Sequence, residues 1–194
     1  MKNIVILISG RGSNMQAIVA AAKKEKWPAR IAAVISNRAD AEGLVFAHQH
    51  GIPTALVVSK NYSSRDLFDS ALQAQIEQYS PDLIVLAGFM RILTPQFVQH
   101  YQGRMINIHP SLLPDFKGLH THRQALDAGV KEHGASVHLV TAELDHGPVL
   151  DQARIAVYPD DTEASLAERV LEQEHILYPR VIRQFVEGKL GLPD

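Results

Sequence analysis

The chain has 194 residues, 46% of them hydrophobic, no cysteine and a formal net charge of −2. The lack of Cys excludes disulfides, thiolate nucleophiles and sulfur-ligated metals, and the near-neutral charge gives no basic face for a nucleic-acid backbone, so an anionic ligand must be met by local groups. No apolar run nears the roughly 18 residues that span a bilayer, and the start, MKNIVILISGRG, is too briefly apolar for a secretion signal; a cytoplasmic chain of one domain, residues 1–194, is expected.

NIVILI, residues 3–8, reads as a buried strand, and residues 13–26 follow as a helix capped by Ser13. Strands over 30–36 and 53–58 flank a short helix, 41–51, closed by Gly51. Residues 63–79 form a helix with Leu67, Phe68, Ala71, Leu72 and Ile76 on one face, and DLIVLAG, 82–88, is the next strand. Thr94 caps a further helix with Pro95 at its first position, where proline is tolerated. MINIH, 105–109, is a strand, and ASVHLVTAEL and VLDQARIAVYP give two more. Residues 162–188 form a closing helix that Pro179 is expected to kink or break.

Continuous apolar strands alternating with helices require crossover connections. The fold class is α/β, Rossmann-like, with a mostly parallel central sheet covered by helices on both faces. Ligands in such sheets lie at the carboxyl ends of the strands, where SGRGSN, AGFMRI, NIHPS and TAELDHGP are expected to fall.

SGRGSN, Ser9–Asn14, joins a strand to a helix; its glycines admit close backbone approach, and the free N–H groups at the helix start attract an anion. The dinucleotide fingerprint wants a third glycine where Met15 stands, so one phosphate fits better than a pyrophosphate. AGFMRIL, Ala87–Leu93, is an ordinary strand end or a slot for a flat heterocycle walled by Phe89, Met90, Ile92 and Leu93. Asn107 and His109 are two residues apart on a strand and so share a face. An amide donor beside an imidazole suits an acyl carbon becoming tetrahedral, with hydrogen bonds for the oxyanion and a proton for the leaving group. Asp145, in ELDHGP, is a turn residue unless the fold brings it to His109, where its charge would favour the imidazolium. His120 and His122 in GLHTHR belong to a loop gripping the active site; with neither Cys nor HExxH, a metal site is not expected. His48, His50, His100 and His175 read as solvated helix faces, and Glu174 as a surface charge or a group reaching a substrate.

GRGSN, AGFMRIL, NIHPSLLP, GLHTHRQAL and HGASVHLVTAELDHGPVL, in that order, resemble the phosphoribosylglycinamide formyltransferase family, folate-dependent enzymes of purine synthesis, over about residues 3–188. The resemblance implies a formyltransferase fold and transfer of the formyl group of 10-formyltetrahydrofolate to the amine of glycinamide ribonucleotide, without a metal. It implies Asn107, His109 and Asp145 as the catalytic set, with His109 as proton donor, and Gly12, Ser13, Asn14 and Glu174 for the ribonucleotide. Folate contacts are implied at Arg65, Met90, Arg91, Ile92, Leu93, Asn107, Thr141, Ala142, Glu143, Leu144 and Asp145, with Arg65 approaching the carboxylate tail. His146 stands where a small residue is common. The implied partners are these two small molecules, with no nucleic acid and no membrane, and the protein is a monomer or homodimer.

Three rival readings fit parts of the sequence. Formyltetrahydrofolate hydrolase shares the core and uses water as acceptor, but typically adds an N-terminal regulatory domain. Methionyl-tRNA formyltransferase adds a C-terminal domain and needs basic surface. An NADP-binding oxidoreductase or nucleotide sensor is favoured by SGRGSN and Arg38 and opposed by Met15.

Overall fold

The computed structural model describes residues 1–190; residues 191–194 of the expected domain lie outside the described residues. Its elements are β1 (Lys2–Ile8), α1 (Ser13–Glu25), β2 (Ala29–Ser36), α2 (Glu42–Gln49), β3 (Thr54–Leu56), α3 (Arg65–Glu77), β4 (Leu83–Leu86), α4 (Pro95–His100), β5 (Met105–His109), α5 (Thr121–Ala128), β6 (Glu132–Leu139), β7 (Val149–Ala156) and α6 (Glu163–Val186).

The strands make one sheet in the order β3-β2-β1-β4-β5-β6-β7. The first five are parallel; β6 runs antiparallel to both its neighbours, β5 and β7, so β7 shares the direction of the first five. The order in which the chain adds strands reverses between the parallel neighbours β1 and β4, the switch point at which such sheets open a crevice. The alternation of β1 explains its two-sided burial: Ile4, Ile6 and Ile8 join the core under α1 and α6, while Val5 and Leu7 join the core under α3 and α4.

Several local expectations are corrected. Ser13 is the first helical residue of α1, not its cap; Gly12 takes that place at φ 70°, with no side-chain capping bond. Leu67 is 54% exposed, whereas Phe68, Leu72 and Ile76 are buried. The third strand shortens to three residues at the sheet edge. Proline does not break α6, which runs through Pro179. Tyr178, Pro179, Val181 and Ile182 are all buried, so packing offsets the roughly 3 kcal/mol that an interior proline costs. The GLHTHR loop is instead the entry to α5, with His120 in left-handed conformation at the N-cap.

The fourth polar stretch also moves. TAELDHGP follows β6, whose end, Leu139, pairs with Ile106, so it leaves beside the first half of β5 rather than at the carboxyl ends. The loop then doubles back over the sheet to reach them. Gly147 permits this turn, since a Cβ there would lie 1.6 Å from the Leu139 carbonyl oxygen.

Candidate active site

β5 presents Asn107 and His109 on one face, as the period of two requires, and Met105 below them enters the α3/α4 core. His109 is buried. Its Nε2 lies 2.8 Å from the Phe116 carbonyl oxygen, and a carbonyl only accepts, so Nε2 carries a hydrogen and the exchangeable position is Nδ1. Nδ1 faces Asp145 Oδ1 at 3.4 Å, and the two side chains are only 7% and 6% exposed. The other Asp145 oxygen accepts from the Gly118 N–H at 2.9 Å. Asp145 sits at φ 53° and Phe116 at φ 52°, left-handed backbone that costs on the order of 1–3 kcal/mol each and that the surrounding hydrogen bonds hold in place.

Two recesses flank the turn after β4. A slot is lined by Leu86, Phe89, Arg91, Ile92, Leu93 and Asn107 on one side and by residues 138 and 140–145 on the other. A cradle is lined by Ser9–Asn14, Arg38, Ala87, Gly88 and Met90. Consecutive residues of the turn thus serve different recesses. The Ser9 hydroxyl ties the region together, donating to Asn37 Oδ1 at 2.5 Å and accepting from the Met90 N–H at 2.7 Å.

At the cradle, Asn14 Nδ2 donates to Glu174 Oε1 at 3.1 Å, and both residues are buried. Burial pushes the Glu174 carboxyl up to about 7, against the opposite pull of the Asn14 hydrogen bond. Glu174 is therefore not a surface charge. Tyr178, one turn along α6, places its hydroxyl 2.8 Å from the Leu86 carbonyl and 3.1 Å from the Ile106 carbonyl, bridging β4 and β5 where their pairing ends.

The structure brings together Asn107, His109 and Asp145, and separately Gly12, Ser13, Asn14 and Glu174. Thr141, Ala142, Glu143 and Leu144 line the slot with Arg91, Ile92 and Leu93. Two residues fall elsewhere. Met90 is 70% exposed and lines the cradle rather than the slot, unlike Phe89 and Arg91 on either side of it. Arg65 is exposed on the first turn of α3 and does not line the slot.

His138 is the site residue that sequence reading missed. It lies opposite Asn107 in the β5/β6 register and lines the slot, its Nε2 buried without a partner and its pKa lowered chiefly by burial. Only the register shows this; the motif SVHLV does not. His122 Nδ1 and His133 Nε2 lie within hydrogen-bond distance at 3.0 Å, and burial first, then the neighbouring His122, lowers His133 to about 4. Among the described residues no three His, Asp or Glu side chains group to hold a metal. His175 is half-buried, with Nε2 lacking a partner, which corrects its reading as a solvated face. His146 contacts Lys117 at 3.1 Å and Glu143 at 3.6 Å, away from His109. No helix among the described residues is long and apolar enough to cross a membrane.

A doubly wound sheet with a buried imidazole–carboxylate pair beside two recesses at the switch point is the architecture of an α/β enzyme. The chain belongs to the formyl transferase family, whose model matches residues 2–182. It is 55% identical, over 99% of its length and 91% of the relative's, to the phosphoribosylglycinamide formyltransferase of Escherichia coli K12. It is 44% identical to the trifunctional purine biosynthetic protein adenosine-3 of Homo sapiens, covering 98% of this chain and 19% of that one. The solved phosphoribosylglycinamide formyltransferase of Coxiella burnetii superposes with a TM-score of 0.94 at 53% identity, covering 100% of this chain and 90% of the other.

Proposed function

We propose that the protein transfers the formyl group of 10-formyltetrahydrofolate to the amine of glycinamide ribonucleotide, as a cytoplasmic enzyme of purine biosynthesis. The observation that carries this is the Nδ1–Oδ1 approach of 3.4 Å between His109 and Asp145, with Asn107 on the same strand face. The names of the relatives supply the acceptor.

The ribonucleotide phosphate sits on the backbone N–H groups of Gly12, Ser13 and Asn14, where the α1 dipole is positive, and Glu174 meets the rest of that substrate. The folate ring enters the slot between Ile92, Leu93 and the 141–145 backbone, and its carboxylate tail leaves past Arg91. The amine lone pair attacks the formyl carbon, giving a tetrahedral oxyanion that the Asn107 amide and imidazolium His109 stabilise. The carbon–nitrogen bond to folate then breaks as His109 delivers its Nδ1 proton to the departing nitrogen. The proton lost by the attacking amine passes to water held by Asp145. The 3.4 Å gap is looser than a tight charged hydrogen bond, as is common for catalytic pairs before substrates bind. Holding both substrates in line contributes up to about 7–11 kcal/mol in the best cases.

The test follows deformylation of the folate spectroscopically with and without glycinamide ribonucleotide. Turnover only with the acceptor supports the reading. Acceptor-independent turnover would point to the hydrolase instead.

A further inference from the structure

Three consecutive residues, Phe116, Lys117 and Gly118, each make a polar contact at the reacting pair or beside it. The Phe116 carbonyl accepts from His109 Nε2 at 2.8 Å, and the Gly118 N–H donates to Asp145 Oδ2 at 2.9 Å. Between them, Lys117 Nζ lies 3.1 Å from Nδ1 of His146, the residue that follows Asp145. This third contact joins two exposed side chains that line neither the slot nor the cradle.

An ammonium only donates, so His146 Nδ1 accepts and the ring hydrogen sits on Nε2. That nitrogen faces Glu143 Oε2 at 3.6 Å, so a carboxylate of the slot wall, an imidazole and an ammonium follow one another out to the 116–118 segment. The backbone around His146 is fixed on both sides: Gly118 holds Asp145, and Gly147 packs so closely on the Leu139 carbonyl that no Cβ fits. Asp145 at φ 53° and Phe116 at φ 52° are strained conformations that persist only while their surroundings hold them. Without the Lys117–His146 contact, the hydrogen bonds joining residues 116–118 to 141–147 reduce, among the described residues, to the one from Gly118.

We infer, on the roles given above to His109 and Asp145, that Lys117 and His146 are positioning residues for the reaction. Their contact clasps the 116–118 segment to the Asp145 turn and so keeps the carboxylate at its working distance from the imidazole. Since neither side chain lines a substrate recess, the clasp acts on kcat and leaves the KM values alone. A contact between two exposed groups is weak, so its effect on rate is modest.

The experiment measures kcat and both KM values, with 10-formyltetrahydrofolate and glycinamide ribonucleotide, for the full chain and for Lys117→Ala, His146→Ala and the double variant. Each single change lowers kcat by about fivefold with KM values within about twofold of wild type, and the double variant is no slower than either single one, because both remove the same contact. His146→Asn, whose amide oxygen replaces the Nδ1 acceptor, recovers most of the rate. Losses that multiply in the double variant, an unchanged kcat in either alanine variant, a loss that falls on KM, or no recovery with asparagine overturn the clasp. Amide hydrogen exchange, read without substrates, gives an independent arm: peptides covering 116–118 and 141–147 exchange faster in both alanine variants, and unchanged exchange overturns the clasp even where rates fall. If the wild-type protein transfers no formyl group, the proposed function fails, and the exchange result alone decides whether the clasp holds the turn.

Discussion

Glu174→Gln makes the protein more stable above neutral pH and leaves its stability in acid nearly unchanged. Burial raises the Glu174 carboxyl from its ordinary 4.5 to about 7, so the folded state binds its proton more tightly than the unfolded chain does. A group raised on folding stabilises fully below its unfolded value, and that contribution is lost as pH rises toward the folded one. The loss therefore runs between about 4.5 and 7 and amounts to about 3 kcal/mol, at about 1.36 kcal/mol per pH unit. The amide variant keeps an oxygen to accept from Asn14 but has no charge to desolvate. Urea denaturation of both proteins from about pH 4 to pH 8 measures this. Subtracting the two profiles also removes the contribution of His133, whose lowered value gives the opposite slope. The difference should grow by about 3 kcal/mol across the window. A difference that stays constant with pH refutes a buried, proton-holding carboxyl at this position.

His109→Ala and Asp145→Ala each lower turnover by roughly 10²-fold or more in the formyl-transfer assay while both proteins remain folded by circular dichroism; near wild-type rates in either discard the assigned roles. Gly147→Ala drives a Cβ into the Leu139 carbonyl at 1.6 Å, and a melting curve should show a loss on the order of 3 kcal/mol or more together with lost activity, because the Asp145 loop is forced off the sheet. Tyr178→Phe strips the Leu86 and Ile106 carbonyls of their buried donor and costs about 1–3 kcal/mol by denaturant titration.

What was legible in the sequence was local or periodic. The period of two put Asn107 and His109 on one face, the Thr94–Pro95 start of α4 followed from capping chemistry, and a glycine turn after an apolar strand located the cradle. The pairing of Asp145 with His109 came from a resemblance, because it depends on β6 running antiparallel, a long-range fact that no window of residues encodes. His138 was missed for the same reason: it faces the slot only because register sets it opposite Asn107. Pro179 misled because the rule for an isolated helix neglects what burial against the sheet repays. Glu174 looked like an ordinary charge until the packing of α6 on α1 enclosed it.

The backward course of β6 has a practical corollary. The imidazole stands before the connection at 129–131, where Gly129 and Lys131 are exposed, and its carboxylate partner after it. Severing the polypeptide there would leave one member of the pair on each fragment, so neither piece alone has the means to react. Regained turnover on mixing would then report docking of the two fragments, making this link a natural place to divide the enzyme into a complementation sensor.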